Sequence, residues 1–183
     1  MAHRAAILSG ITRFLGRLRG SADALDPGGS ARRVDRVAPW LYIGPELLID
    51  QYAELRRRGV THVVDLREEG SDDADSLIAL GFRWRRIPVL DRRAPTDAQL
   101  ADLIAWLDAD ADPNVDQAVY VHCHAGLGRT PTVAIALLMQ HDLTLAEAQR
   151  MVLAARPEAA PTTRQLEWLD LLDRALRDRT TKD

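Results

Sequence analysis

The chain has one cysteine, Cys123, one lysine, Lys182, and only 5% aromatic residues among its 183 residues. A single cysteine can neither close an internal disulfide nor supply a multi-cysteine zinc site, so a reducing, cytoplasmic compartment is expected. No stretch approaches the roughly 20 consecutive apolar residues that a bilayer-spanning helix needs. The formal net charge of −3 gives no global field for polyanions, and nucleic acid is not expected as a partner.

What is present suits one globular domain. Hydrophobic residues make up 46% and charged residues 28%, which excludes a wholly disordered chain. Residues 1–20 place Ile7, Leu8, Ile11, Phe14, Leu15 and Leu18 at helical spacing among Arg4, Arg13, Arg17 and Arg19. This reads as a basic amphipathic helix, suited either to docking on the domain or to peripheral contact with the inner face of a membrane. A Gly/Ser/Asp/Pro-rich linker is expected over 21–33, the main domain over 34–178 and a short tail over 179–183. The oligomeric state is left open.

From Val34 onward strand and helix signals alternate. "VAPWLYIG", "VTHVVDL", "FRWRRIPV" and "QAVYVHC" read as strands, the last apolar throughout as a central strand would be. "IDQYAELRRRG" reads as a helix closed by Gly59. Three capping boxes mark further helix starts: Thr96 with Gln99, Thr144 with Glu147, and Thr162 with Gln165. Behind the first, Leu100, Leu103, Ile104 and Leu107 form one apolar stripe. The alternation predicts an α/β fold: a central, mostly parallel sheet of four to five strands flanked by helices. His62, within an apolar strand, reads as a structural histidine.

The stretch "VYVHCHAGLGRTPTV" sits between that central strand and an apolar helix, at the sheet edge where α/β folds bind ligands. Gly126 and Gly128 let the backbone curl so that N–H groups converge on an anion at the positive helix end. The same end favours the thiolate form of a cysteine. Arg129 offers a planar fork for two oxygens of a phosphoryl group. Together Cys123 and Arg129 suggest nucleophilic attack on a tetrahedral oxyanion. The leaving oxygen then needs an acid on a separate loop. Asp91, in "IPVLDRRAPTD", is the candidate; Asp97 is its rival, but in the first turn of a helix it would serve the helix dipole. A zinc site on His122, Cys123 and His124 would need a further ligand that the sequence does not offer.

"HCHAGLGRT" resembles the cysteine-dependent protein tyrosine phosphatase signature: His-Cys, five residues, Arg, then Ser or Thr. "LYIGPELLID", "GVTHVVDLREE", "IPVLD" and "TLAEAQRMVLAARP" follow the order found in small dual-specificity phosphatases, over roughly residues 34–176. The resemblance implies a cysteinyl-phosphate intermediate. Cys123 would attack, while Arg129 and the loop N–H groups of His124, Ala125, Gly126, Leu127 and Gly128 would hold the phosphate. Asp91 would act as acid and then base, and the Thr130 hydroxyl would ease departure of the sulfur. His122 would support the loop from behind, and His124 would line the floor or rim of the pocket. No metal or organic cofactor is implied. The expected substrate is a phosphorylated protein, phosphotyrosine foremost with phosphoserine or phosphothreonine, and the alternative is a phospholipid or phosphoinositide. A phosphate-binding module without turnover is a third reading, which the intact Cys123, Arg129, Thr130 and Asp91 argue against.

Overall fold

A computed structural model describes residues 33–109 and 117–180. The expected helix over 1–20 and nearly all of the linker over 21–33 lie outside the described residues. The elements run in the order β1 (Asp35–Ala38), β2 (Leu41–Gly44), α1 (Ile49–Arg57), β3 (His62–Arg67), α2 (Ala74–Ala79) and β4 (Arg83–Val89). They continue with α3 (Asp97–Ala109), β5 (Val119–His122), α4 (Arg129–Met139), α5 (Leu145–Ala155) and α6 (Thr163–Thr180). The last helix therefore enters the expected tail.

The five strands form one sheet in the order β1-β2-β5-β3-β4. β2, β5, β3 and β4 pair in parallel, and β1 is antiparallel to β2. "VAPWLYIG" is thus a hairpin and not the single strand its composition suggests. Pro39 has no N–H for a ladder and a φ suited to a turn, and its carbonyl accepts from Arg36 Nη2 at 3.2 Å.

Alternation along the strands separates two cores. Ile43, Val64, Leu66, Val119 and Val121 face α3 to α6, whereas Tyr42, Val63 and Tyr120 face the layer of Tyr52, Leu55 and Leu77 from α1 and α2. Every residue of α4 is buried, as befits a helix apolar on all sides beneath a sheet. Leu100 and Leu103 of the α3 stripe are buried, and Ile104 and Leu107 pack beside them. His62 is buried, its Nδ1 2.8 Å from Thr61 Oγ1 and its ring edge-on to Trp106.

Local rules fix the helix ends. All three capping boxes form: Thr96 with Gln99, Thr144 with Glu147 and Thr162 with Gln165 exchange backbone-to-side-chain bonds in both directions. Gly59 follows α1 at φ +85°, the left-handed position that ends a helix with least strain on glycine. Gly44, Asp65 and His122 stand in register at the carboxyl ends of three parallel strands. The residues after β5, β3 and β4 therefore emerge along one edge of the sheet.

Candidate functional site

The loop after β5 wraps around Cys123, whose side chain is buried and whose Sγ accepts from the Gly126 N–H at 3.3 Å. The loop carbonyls are all engaged by surrounding groups. Cys123 O lies 3.3 Å from His122 Nδ1, and His124 O accepts from the Glu46 N–H at 3.1 Å. Ala125 O and Gly126 O accept from Arg156 at 3.2 and 2.9 Å, and Leu127 O accepts from the Ala160 N–H at 2.7 Å. Gly128 O closes the first bond of α4, to the Thr132 N–H. Because each peptide is planar, holding the carbonyls outward turns the N–H groups to the other side. Those of His124, Ala125, Leu127 and Gly128 have no partner among the described residues, and together they make an anion nest at the start of α4.

Gly126 is what lets this loop close on the sheet. Its φ is +71°, and a β-carbon there would lie 2.4 Å from the backbone of Gly44 at the end of β2.

Arg129, at the first position of α4, is buried with its charge intact. Nη1 donates to Glu69 Oε2 at 2.7 Å and to the Val89 carbonyl at 3.0 Å, while Nη2 donates to Glu69 Oε1 at 2.6 Å. The outer edge of the guanidinium is thereby clamped, and Nε has no partner among the described residues. Burial opposes the Arg129 charge, but the bond to Glu69 and the Cys123 charge more than offset it and raise its pKa. The hydrogen bond from Arg129 in turn lowers the Glu69 carboxyl to about 2.

Asp91, two residues beyond β4, is mostly exposed, and its Oδ1 lies 3.5 Å from Arg129 Nη2. It does not sit back on Arg92 or Arg93. Arg92 has φ +60°, a left-handed turn that a non-glycine residue rarely adopts. The rival Asp97 begins α3 and accepts from Trp168 Nε1 at 3.0 Å, a structural use. A groove of about 450 Å³ opens beside Asp91, lined by Arg92, Arg93, Thr162, Thr163 and Arg164. Thr130 is buried, and its Oγ1 has no partner among the described residues.

Both histidines beside Cys123 are held by carboxylates. His122 Nε2 lies 2.8 Å from Asp72 Oδ2 and 3.3 Å from the Tyr52 hydroxyl. His124, exposed at the rim, pairs through Nδ1 with Glu46 at 2.9 Å. Arg67 ties the two together, because its guanidinium bonds Asp65, Asp72 and Glu46. Burial opposes the Arg67 charge, and Asp65, Asp72 and Glu46 more than compensate, so its pKa rises. Burial also works against the Asp72 carboxylate, yet the bond to His122 and the charges of His122 and Arg67 hold it below the usual range. Oxygen and nitrogen atoms of Asp65, Asp72 and His122 lie within 4.8 Å of one another. Arg67, bonded to both carboxylates, already supplies the positive charge that a cation would bring there.

The structure thus brings Cys123, the loop from His124 to Gly128, Arg129, Thr130 and Asp91 to one edge of the sheet, with His122 behind them. Sequence reasoning missed Glu69, Arg156, Asp72, Glu46 and Arg67. Glu69 lay within "GVTHVVDLREE", but nothing local indicates that it reaches an arginine 60 residues away.

Comparisons with known proteins bear on the family and fold that carry this site. Residues 41–143 match a family model described as "Polymorphic toxin system, DSP-PTPase phosphatase". Dual specificity protein phosphatase 26 of Bos taurus is 32% identical over 158 residues, covering 81% of this chain and 71% of that protein. Dual specificity protein phosphatase 12 of Mus musculus is 30% identical over 153 residues, which span 80% of this chain but only 43% of that one. The crystal structure of PTPMT1 superposes with a TM-score of 0.72 at 25% identity, over 82% of this chain and 99% of that one. PTPMT1 has also been crystallised in complex with PI(5)P.

Proposed function

The chain belongs to the dual-specificity phosphatases of the cysteine-dependent protein tyrosine phosphatase superfamily, which are phosphomonoester hydrolases, and we propose that it hydrolyses phosphate monoesters through a phosphate carried on Cys123. In the first step Cys123 Sγ attacks phosphorus, and the ester P–O bond breaks with its electron pair passing to the leaving oxygen. Asp91 supplies that oxygen's proton. Arg129 Nε and the free loop N–H groups hold the equatorial oxygens, whose charge is spread in a loose transition state. In the second step Asp91 takes a proton from water, which attacks phosphorus. The S–P bond then breaks, with the Thr130 hydroxyl donating to the departing sulfur.

The observation that carries this reading is the meeting of Asp91 with Arg129, 3.5 Å apart, at the mouth of the loop that holds Cys123. A phosphate cradle alone binds, whereas a cradle with an acid at its lip can release an alcohol or phenol.

For the substrate we take a phosphorylated protein, phosphotyrosine first and phosphoserine or phosphothreonine with it, in keeping with the relatives' names. Phosphoinositide hydrolysis is a second reading, favoured by the likeness to PTPMT1 and by the arginines around the groove beside Asp91. Initial rates on phosphotyrosyl and phosphothreonyl peptides, set against rates on phosphoinositide-containing vesicles, separate the two. Higher kcat/KM on peptides supports the first, and a preference for vesicles overturns it.

A further inference from the structure

Thr162 and Gln165 form the capping box of α6, and each also has a second bond that no capping box requires. The Thr162 hydroxyl accepts from the Gln165 N–H at 3.4 Å and spends its proton on the Arg92 carbonyl at 3.1 Å. The Gln165 carboxamide oxygen accepts from the Thr162 N–H at 2.7 Å, and its NH₂ group donates to the Arg93 carbonyl at 2.8 Å. The two carbonyls gripped in this way directly follow Asp91. The first of them belongs to the left-handed residue, Arg92 at φ +60°, a conformation that persists in a non-glycine residue when its surroundings hold it.

Gln165 is fully buried and lies beside the thiol loop as well. A β-carbon on Gly128 would lie 3.3 Å from Gln165 Oε1. One side chain therefore fills the space between the loop that holds the nucleophile and the loop that holds the acid. Asp91 itself, mostly exposed, has among the described residues only the contact with Arg129 to aim it.

We infer that Thr162 and Gln165 are positioning residues for Asp91: the helix cap doubles as a clasp that sets the acid loop over the phosphate cradle. The inference rests on the reading of Asp91 as general acid. The capping function and the clasp can be cut apart by chemistry. A capping side chain needs only an acceptor, so aspartate at 162 and glutamate at 165 still cap. Neither carboxylate can donate to a carbonyl. Thr162→Ser keeps both functions.

The test compares Thr162→Asp, Gln165→Glu, Thr162→Ser and Asp91→Asn with wild type on two substrates. Phenyl phosphate has a poor leaving group that needs protonation, and an aryl phosphate with nitro substituents has a leaving group that does not. Positioned acids contribute roughly 10²–10⁴-fold, so a displaced one is expected to lose about tenfold. Thr162→Asp and Gln165→Glu should lose that factor in kcat on phenyl phosphate and little on the activated ester, Thr162→Asp with a melting temperature close to wild type and Gln165→Glu with a lower one, because its carboxylate is buried. Thr162→Ser should match wild type on both. Equal losses on the two substrates, or no loss on either, in both cap variants would overturn the inference while Asp91→Asn keeps its leaving-group dependence. If Asp91→Asn lacks that dependence, the acid assignment falls and takes the clasp with it.

Discussion

Glu69 lays its two carboxylate oxygens against the two terminal nitrogens of Arg129, at 2.6 and 2.7 Å. The third anchor of the guanidinium is the Val89 carbonyl at the end of β4. An arginine held at its outer edge presents its inner edge in a fixed orientation, so the entropic cost of ordering it is met before any anion arrives.

Glu69→Gln keeps one acceptor and removes the charge. Hydrogen bonds to charged groups contribute about 1.5–3 kcal/mol, and part of that should appear as lost transition-state binding. Steady-state kinetics on an aryl phosphate should give kcat/KM lower by about tenfold, each factor of ten being roughly 1.4 kcal/mol. Unchanged kcat/KM would mean that Arg129 is oriented without the clamp.

Gly126→Ala places a methyl group against the backbone of Gly44 at a φ that disfavours it. The loop must shift to accommodate it, since backbone on both sides cannot yield cheaply. Inhibition by inorganic phosphate or vanadate should weaken by more than about tenfold, a loss consistent with mis-set cradle N–H groups. Wild-type inhibition would show that the nest tolerates a different loop path.

Arg156 is buried among Asp35 and the carbonyls of Arg33, Ala125 and Gly126. Arg156→Met strands these acceptors, although Arg33 Nε, 2.6 Å from Asp35, still compensates part of the carboxylate. Breaking a buried pair costs about 3–5 kcal/mol, and the remaining Arg33 contact places the expected loss at the lower end. Urea unfolding should read that loss, together with weaker phosphate inhibition. A variant of wild-type stability with full phosphate affinity would contradict the role given to Arg156.

Asp72 and Glu69 both ionise more readily in the folded protein than in the unfolded chain. The linkage sign follows: their stabilisation is complete above the unfolded carboxyl pKa of roughly 4 and disappears as pH falls through the lower folded values. The stability gap between wild type and Asp72→Asn should therefore stay constant from pH 8 to about 5 and shrink below about 4. Urea unfolding at pH 7 and pH 3 measures it. A gap that is unchanged at pH 3 would show that the Asp72 carboxylate is not what the network stabilises.

Local and periodic features were legible in the sequence. The capping boxes need only four residues, the α3 stripe needs one helical period, and the Cys123 loop carries its cysteine, glycines and arginine in a single run. Asp91 stood out as a candidate because its loop lies between a strand and a capped helix. The hairpin at Pro39 was hidden because the apolar composition on either side of the turn is continuous. Glu69, Arg156 and Asp72 were hidden for a different reason. Each acts on the loop from another element, across 60, 30 and 50 residues respectively, and a lone charged side chain carries no local sign of such a partner. The second duty of Thr162 and Gln165 was equally invisible, since the cap accounts for both residues without it.

Rapid acid quenching during turnover of an activated aryl phosphate, followed by mass spectrometry of the digested protein, reads the covalent step itself. Phosphate is expected on the peptide that contains Cys123. It should accumulate further in Asp91→Asn, where activation of water is slowed, and be absent from Cys123→Ser, which should also be inactive. Phosphate on another side chain, or turnover retained by Cys123→Ser, would contradict the account.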